Sequence, residues 1–170
     1  MNLRLRNRQR TRFLNRPWLR KIALHFLESK IDGRTSDLGV YFVEADEMTR
    51  LNETFLHHAG STDVITFDYA ESRAALAAGG RATLQGEIFI CVSEAVAQAR
   101  RFRTTWQSEL VRYFIHGVLH LLNFDDTHAS SRRKMKRVEN QSLAKLATQF
   151  DLRKLDAGRS RRRRTSQKSR

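Results

Sequence analysis

The sequence predicts an α+β domain: a small mixed β-sheet of about four strands packed against helices. Three observations lead there. Four segments carry the alternation or the β-branched density of strands, and the segments around them repeat apolar residues every three or four positions, as helices require. The composition, 40% hydrophobic and 29% charged over 170 residues, is that of a chain with one buried core. The charge is also segregated. Residues 1–21 hold eight Arg/Lys and no acid, residues 153–170 are net +8, and the total of +14 leaves −2 for residues 22–152. This pattern describes one domain over residues 1–152 followed by a basic, disordered tail over residues 153–170.

Taken in order, residues 3–12 alternate, with Arg4, Arg6, Arg8, Arg10 and Arg12 on one face, and read as a strand. The guanidinium row is either an RNA-contacting surface or a charged edge that blocks aggregation. Asn15 and Pro17 open a helix whose inner face is Leu19, Ile22, Ala23, Phe26 and Leu27. His25 on that helix is expected to be a surface or packing residue rather than a ligand. Asp32-Gly33 marks a turn, and Leu38–Val43 is a buried strand. Residues 45–56 read helical, with Met48, Leu51 and Phe55 in phase; Thr62–Phe67 is a strand. Residues 70–83, rich in Ala and Gly, read as a loop before a strand over Leu84–Val92. Ser93 is expected to cap a helix reaching Phe102. Thr104 or Thr105 starts the next helix, which stops at Asn123, and Ser130 or Ser131 begins the last, with Met135, Val138, Leu143 and Leu146 inward.

Several classes are disfavoured. No run approaches the roughly 18 apolar residues of a membrane span, and the N-terminus lacks an apolar signal region. A single cysteine, Cys91, precludes an internal disulfide and fits a reducing compartment, so a cytoplasmic protein is expected. The cationic ends would attract phosphate backbones without reading sequence, and RNA is the expected partner. A solubilising tail or an anionic membrane surface are the alternatives.

The chemistry concentrates in Phe114-Ile115-His116-Gly117-Val118-Leu119-His120-Leu121-Leu122, followed by Asn123-Phe124-Asp125-Asp126-Thr127-His128. Imidazoles four residues apart on a helix project the same way, about 6 Å apart, and suit two bonds to one metal ion. Buried histidines can instead bond to main-chain carbonyls. Gly117 inside the helix, at a cost of about 1 kcal/mol against Ala, signals a close approach to the backbone. Asp126 or His128 would close the ligand set, leaving a position for water. No Glu follows His116, so the helical base of an HExxH protease is missing.

The run from His116 through His120 to Asp125-Asp126 resembles the HGxLHLxGYDH signature of the YbeY family, metal-dependent endoribonucleases of ribosomal RNA maturation. Leu51-Asn52 followed by Thr62–Phe67 is similar to the family's LN…TDVLSF stretch. Gly86–Cys91 followed by Glu94, Gln98 and Ala99 is similar to its GDIxI…E…QA stretch. The match covers residues 38–128. The resemblance implies a zincin-like helix bearing one zinc ion and single-strand-specific RNA hydrolysis. It also implies a bacterial or organellar setting, the small ribosomal subunit as partner, maturation of the 3′ end of its RNA, and ribosome quality control. The family's third histidine falls on Asp126, so the ligands would be His116, His120 and Asp126, with His128 as the alternative. A basic residue of the family falls at Leu56, beside His57 and His58. Arg50 or an N-terminal arginine would then replace it.

The leading expectation is hydrolysis of an RNA phosphodiester by water activated on the ion. Asp63, Glu87 and Asp125 are the candidates for orienting groups or proton transfer, although Asp63 equally suits a turn cap and Glu87 a surface strand position. The rivals are a non-catalytic, zinc-stabilised RNA-binding assembly factor and a metallohydrolase acting on another substrate.

Overall fold

The computed structural model describes residues 1–31, 36–70 and 84–158. The Asp32-Gly33 turn, the segment 71–83 and the chain from 159 on lie outside the described residues. Four strands form one sheet: β1 (Asn2–Asn7), β2 (Ser36–Val43), β3 (Val64–Asp68) and β4 (Leu84–Cys91), in the order β1-β2-β4-β3. β1 and β4 both run parallel to β2, while β3 is antiparallel to β4, so the sheet is mixed. The central strands β2 and β4 are covered on both faces, which is why each reads as a nearly continuous apolar run rather than an alternating one.

Even-numbered side chains such as Val40, Phe42, Ile88 and Ile90 face the larger core, with α1 (Arg16–Ile31), α4 (Trp106–Leu121) and α5 (Ala129–Gln149). Odd-numbered ones, Val43, Ile65, Phe89 and Cys91, face a smaller core closed by Met48 of α2 (Ala45–Leu51). α3 (Val92–Phe102) leads from β4 into α4. Each fully buried Leu, Ile or Phe contributes about 1.5–3 kcal/mol by leaving water, so the larger core holds α4 firmly against β4.

Local signals account for most boundaries. Asn15 Oδ1 accepts the Trp18 N–H (3.2 Å) and caps α1 as expected. Thr105 caps α4, accepting from Ser108 N at 3.2 Å. His25 packs edge-on against Phe150. After α2 the helix widens into one π-helical turn over Asn52–Leu56, where Phe55 is exposed.

Four expectations change. β1 ends at Asn7, and the arginine row is broken up: Arg4 pairs with Asp37 at 3.0 Å and Arg8 with Glu47 at 2.7 Å. Ser93 does not cap α3. Its hydroxyl donates to Glu44 Oε2 (3.0 Å), and the helix starts at Val92, ahead of Ser93. α5 starts at Ala129 rather than at Ser130 or Ser131. Residues 153–158, counted with the tail, are packed: Leu155 is buried, Asn15 N donates to its carbonyl, and Ala157 N donates to Phe13 O at 2.7 Å. The N-terminal segment supplies the missing partner, which a local reading of basic residues does not see.

Candidate metal centre

α4 runs from its Thr105 cap across the sheet, with Gly117 facing Ile88. A Cβ on Gly117 would lie 2.7 Å from Ile88 Cγ2, so the close approach signalled by this glycine is packing against β4. Helix and sheet therefore fix His116 and His120 rigidly on one side of the helix. α4 ends when Asn123 takes a left-handed conformation (φ 64°). Asn123 N then donates to His120 O (2.8 Å) and Phe124 N to Leu119 O (2.9 Å). That turn sends the chain back over the helix, and Asp126 arrives beside the two rings. Arg132 Nε donates to Asp126 O at 2.9 Å and pins the returning loop to α5.

The donor atoms converge. His116 Nε2 and His120 Nε2 are 3.0 Å apart, and Asp126 Oδ2 lies 4.0 Å from the first and 3.9 Å from the second. A tetrahedral zinc with bonds of about 2.0–2.1 Å holds its ligand atoms about 3.3 Å apart, and these separations bracket that value. His116 Nδ1 is 3.1 Å from Glu139 Oε2. Because a carboxylate only accepts, Nδ1 carries the proton, and the Nε2 lone pair faces His120 and Asp126. Two imidazole nitrogens facing each other at this distance need a proton or a cation between them. Among the described residues this is the one group of His, Cys, Asp and Glu whose donor atoms are close enough to hold a metal ion. The His116 and His120 side chains remain 25% and 28% exposed, so solvent reaches them.

Burial lowers the pKa of His116, but the hydrogen bond and charge of Glu139, with Asp63 and Asp126 behind them, outweigh it and the net shift is upward. His120 is lowered, first by burial and then by the neighbouring His116. Burial raises the Glu139 carboxyl, yet its bonds to His116 and Arg112 hold it below the ordinary range. Arg112 donates to Glu139 Oε1 and Asn140 Oδ1, each at 2.7 Å, and lies 3.3 Å from Glu109 Oε2. Thr104 completes the chain by donating to Glu109 Oε1 (2.6 Å).

A cleft of about 270 Å³ opens on the cluster, lined by Asp63, Tyr113, His116 and Asp126 with the cations Arg112, Arg132 and Lys136. Of the expected orienting carboxylates, only Asp63 lines it. Its Oδ1 accepts from Val64 N at 2.9 Å, directly before β3. Glu87 lies on the odd face of β4, away from α4, where it accepts from Tyr41 Oη (2.7 Å) and Tyr69 Oη (3.1 Å). Asp125 is turned outward onto Thr127, whose N–H and hydroxyl both donate to it, and these two bonds lower its pKa. His128 is exposed at the start of α5 and does not join the cluster. Leu56 is 44% exposed at the end of the π-helical turn. Neither it nor His57, His58, Arg50 or the N-terminal arginines line the cleft, and Arg112, Arg132 and Lys136 are the cations there.

Glu139 and Arg112 were missed. Their signal was present: Glu139 falls four residues after Met135 and four before Leu143, on a buried stripe where a carboxylate needs a partner, and Arg112 precedes His116 by one turn.

Fold and site together define an α+β domain whose helix α4 and the loop after it bring two histidines and one aspartate together as a group that could hold a metal ion. The profile described as Endoribonuclease YbeY matches residues 4–147, and the chain belongs to the YbeY family. Relatives named Endoribonuclease YbeY include one from Chlorobium phaeovibrioides, 32% identical over 84% of this chain and 89% of the relative. One from Salinibacter ruber is 29% identical over 78% of this chain and 84% of its own. The solution structure of TM1509 from Thermotoga maritima superposes with a TM-score of 0.60 at 24% identity, over 86% of this chain and 90% of that one, and supports the fold. Among the described residues no helix is long and apolar enough to cross a membrane.

Proposed function

We propose that this protein is a zinc-dependent endoribonuclease that hydrolyses phosphodiester bonds of single-stranded RNA, acting on ribosomal RNA of the small subunit in the cytoplasm. The observation that carries this reading is the convergence of His116, His120 and Asp126 beside a cleft with three lining cations, in a chain whose relatives are named endoribonucleases. The two-nitrogen, one-carboxylate donor set suits zinc with one position left open. His116, His120 and Asp126 would hold the ion, which when bound would supply Lewis-acid polarisation of a phosphoryl oxygen and a water of lowered pKa.

The chain's own residues supply the rest. Glu139 holds the His116 tautomer, and Arg112 holds Glu139. Lys136, exposed at the cleft and without an ion-pair or hydrogen-bond partner among the described residues, is free to meet a substrate phosphate. In this reading Asp63, which lines the cleft, orients water or takes a proton. The cationic N-terminal segment adds affinity without sequence preference.

The test is cleavage of a 3′-extended small-subunit ribosomal RNA fragment by wild type and His116→Ala, with zinc measured in both. His116→Ala is expected to lose zinc and cleavage while keeping most RNA affinity. Cleavage that survives removal of the metal by chelation overturns the mechanism. Full zinc loading and RNA binding with no cutting would instead identify a non-catalytic assembly factor.

A further inference from the structure

A second chamber of about 340 Å³ adjoins the metal cleft and shares Asp63, Arg112, Tyr113 and Lys136 with it. At its far side, where α3 ends, stands Phe102. The ring is 61% exposed, although a phenylalanine at a helix end would ordinarily be folded inward. It is held there by the chain: Arg103 adopts a left-handed conformation (φ 55°) and its N–H donates to Ala99 O, which locks the last turn of α3.

Next to it in the chain are Arg100, Arg101 and Arg103, all exposed, and the Arg101 guanidinium lies 5.4 Å from the ring centroid. None of the three has an ion-pair partner among the described residues. The nearby Glu109 is buried and already engaged by Thr104 and Arg112. The wall of the chamber carries two further signals. Tyr113 is only 4% exposed, and its hydroxyl has no hydrogen-bond partner among the described residues. The Oε1 of Gln98 lacks one too. Unsatisfied buried polar atoms are costly, and a polar edge entering the chamber would complete them.

We infer that this chamber seats a nucleotide flanking the scissile phosphate of a single-stranded RNA, with the Phe102 ring as the stacking surface for its base. Arg101 and Arg103 hold the adjoining phosphates, and the wall formed by Gln98 and Tyr113 faces the base edge. An aromatic face among uncompensated guanidinium groups is how proteins hold unpaired strands, since every base offers a π-face and a duplex does not expose one. A protein partner could also cover an exposed ring. The Arg101 guanidinium at the ring, Arg103 next to Phe102 in the chain and Lys136 on the wall that the chamber shares with the metal cleft favour a polyanion over such a partner. The inference rests on the RNA-hydrolase reading and extends it to how the strand leaves the metal centre.

The experiment measures the affinity of zinc-loaded wild type, Phe102→Ala and Phe102→Tyr for a short single-stranded 2′-O-methyl oligoribonucleotide and for its duplex. Because the ring is exposed, zinc content and thermal midpoint serve as folding controls. Phe102→Ala is expected to weaken single-strand binding about ten-fold or more, within the range of one stacked base. Phe102→Tyr, which keeps the ring, should stay close to wild type, and duplex binding should not respond to either change. Single-strand affinity unchanged in Phe102→Ala overturns the inference and points to a protein partner. Equal loss in both variants overturns it as well, because the ring would not be the determinant. Wild type that binds through Phe102 but cuts no RNA would support this inference and sink the catalytic one.

Discussion

His116 Nδ1 lies 3.1 Å from Glu139 Oε2, and this contact decides which nitrogen of His116 faces the other donors. The two residues sit on different helices, α4 and α5, so the packing of α5 against α4 sets the ring orientation. Glu139→Gln keeps the shape and an acceptor oxygen but removes the charge that opposes Arg112 and favours the donating tautomer. Metal affinity is expected to fall about 10- to 100-fold, the usual effect of losing such a supporting carboxylate. Competition with a chromophoric chelator measures it; unchanged affinity would show that His116 orients itself.

The third ligand is separable by subtraction. Asp126→Ala removes the carboxylate that lies 4.0 and 3.9 Å from the Nε2 atoms of His116 and His120, whereas His128→Ala alters an exposed residue at the start of α5. Elemental analysis of the purified variants should find zinc depleted in Asp126→Ala and near wild-type in His128→Ala. The reverse result would mean that the loop after Asn123 rearranges when metal binds.

How much of this was legible depends on the distance over which each interaction acts. Caps and turns are local, so Asn15, the Thr104-Thr105 pair and Asn123 announced the ends of α1 and α4, and the apolar runs of β2 and β4 announced strands. The histidine pair was legible for the same reason, because helical spacing is local. Ser93 misled because its partner, Glu44, lies 49 residues away, and a hydroxyl that suits a cap suits a distant carboxylate equally well. The choice between Asp126 and His128, the retreat of Glu87 to the other sheet face and the arrival of Glu139 all depend on how elements pack. No periodicity encodes that.

Gly117 tests the helix–sheet contact directly. Gly117→Ala gains about 1 kcal/mol of helix propensity. The new methyl, however, would sit 2.7 Å from Ile88 Cγ2, and overpacking of this kind costs about 1–3 kcal/mol. Urea denaturation should show net destabilisation, and chelator competition should show weaker metal binding as α4 lifts and carries both histidines with it. Ile88→Ala alone is destabilising because it opens a cavity. Combined with Gly117→Ala it should cost less than the two separately, with a coupling of about 0.5–3 kcal/mol. Additive losses would mean that the methyl finds room without Ile88.

Glu44 gives the fold a pH dependence that is remote from the metal cluster. Its Oε1 accepts the N–H groups of Arg10 (2.5 Å) and Thr11 (3.0 Å), and its Oε2 accepts the hydroxyls of Thr11 (2.6 Å) and Ser93 (3.0 Å). Burial alone would raise this carboxyl, but the four bonds outweigh it and leave the folded-state pKa below the ordinary glutamate value. A depressed folded pKa means that unfolding takes up a proton. The stabilisation is therefore complete above the unfolded value of about 4.3 and is lost as pH falls through the folded one. Glu44→Gln should cost about 1 kcal/mol at pH 7, the lower range for a charged hydrogen-bond acceptor, because the group is partly solvated. The gap between variant and wild type should shrink towards pH 3. Urea midpoints at both pH values check it, and an equal gap at the two would show that Glu44 anchors residues 10–11 to α3 by shape and not by its charge.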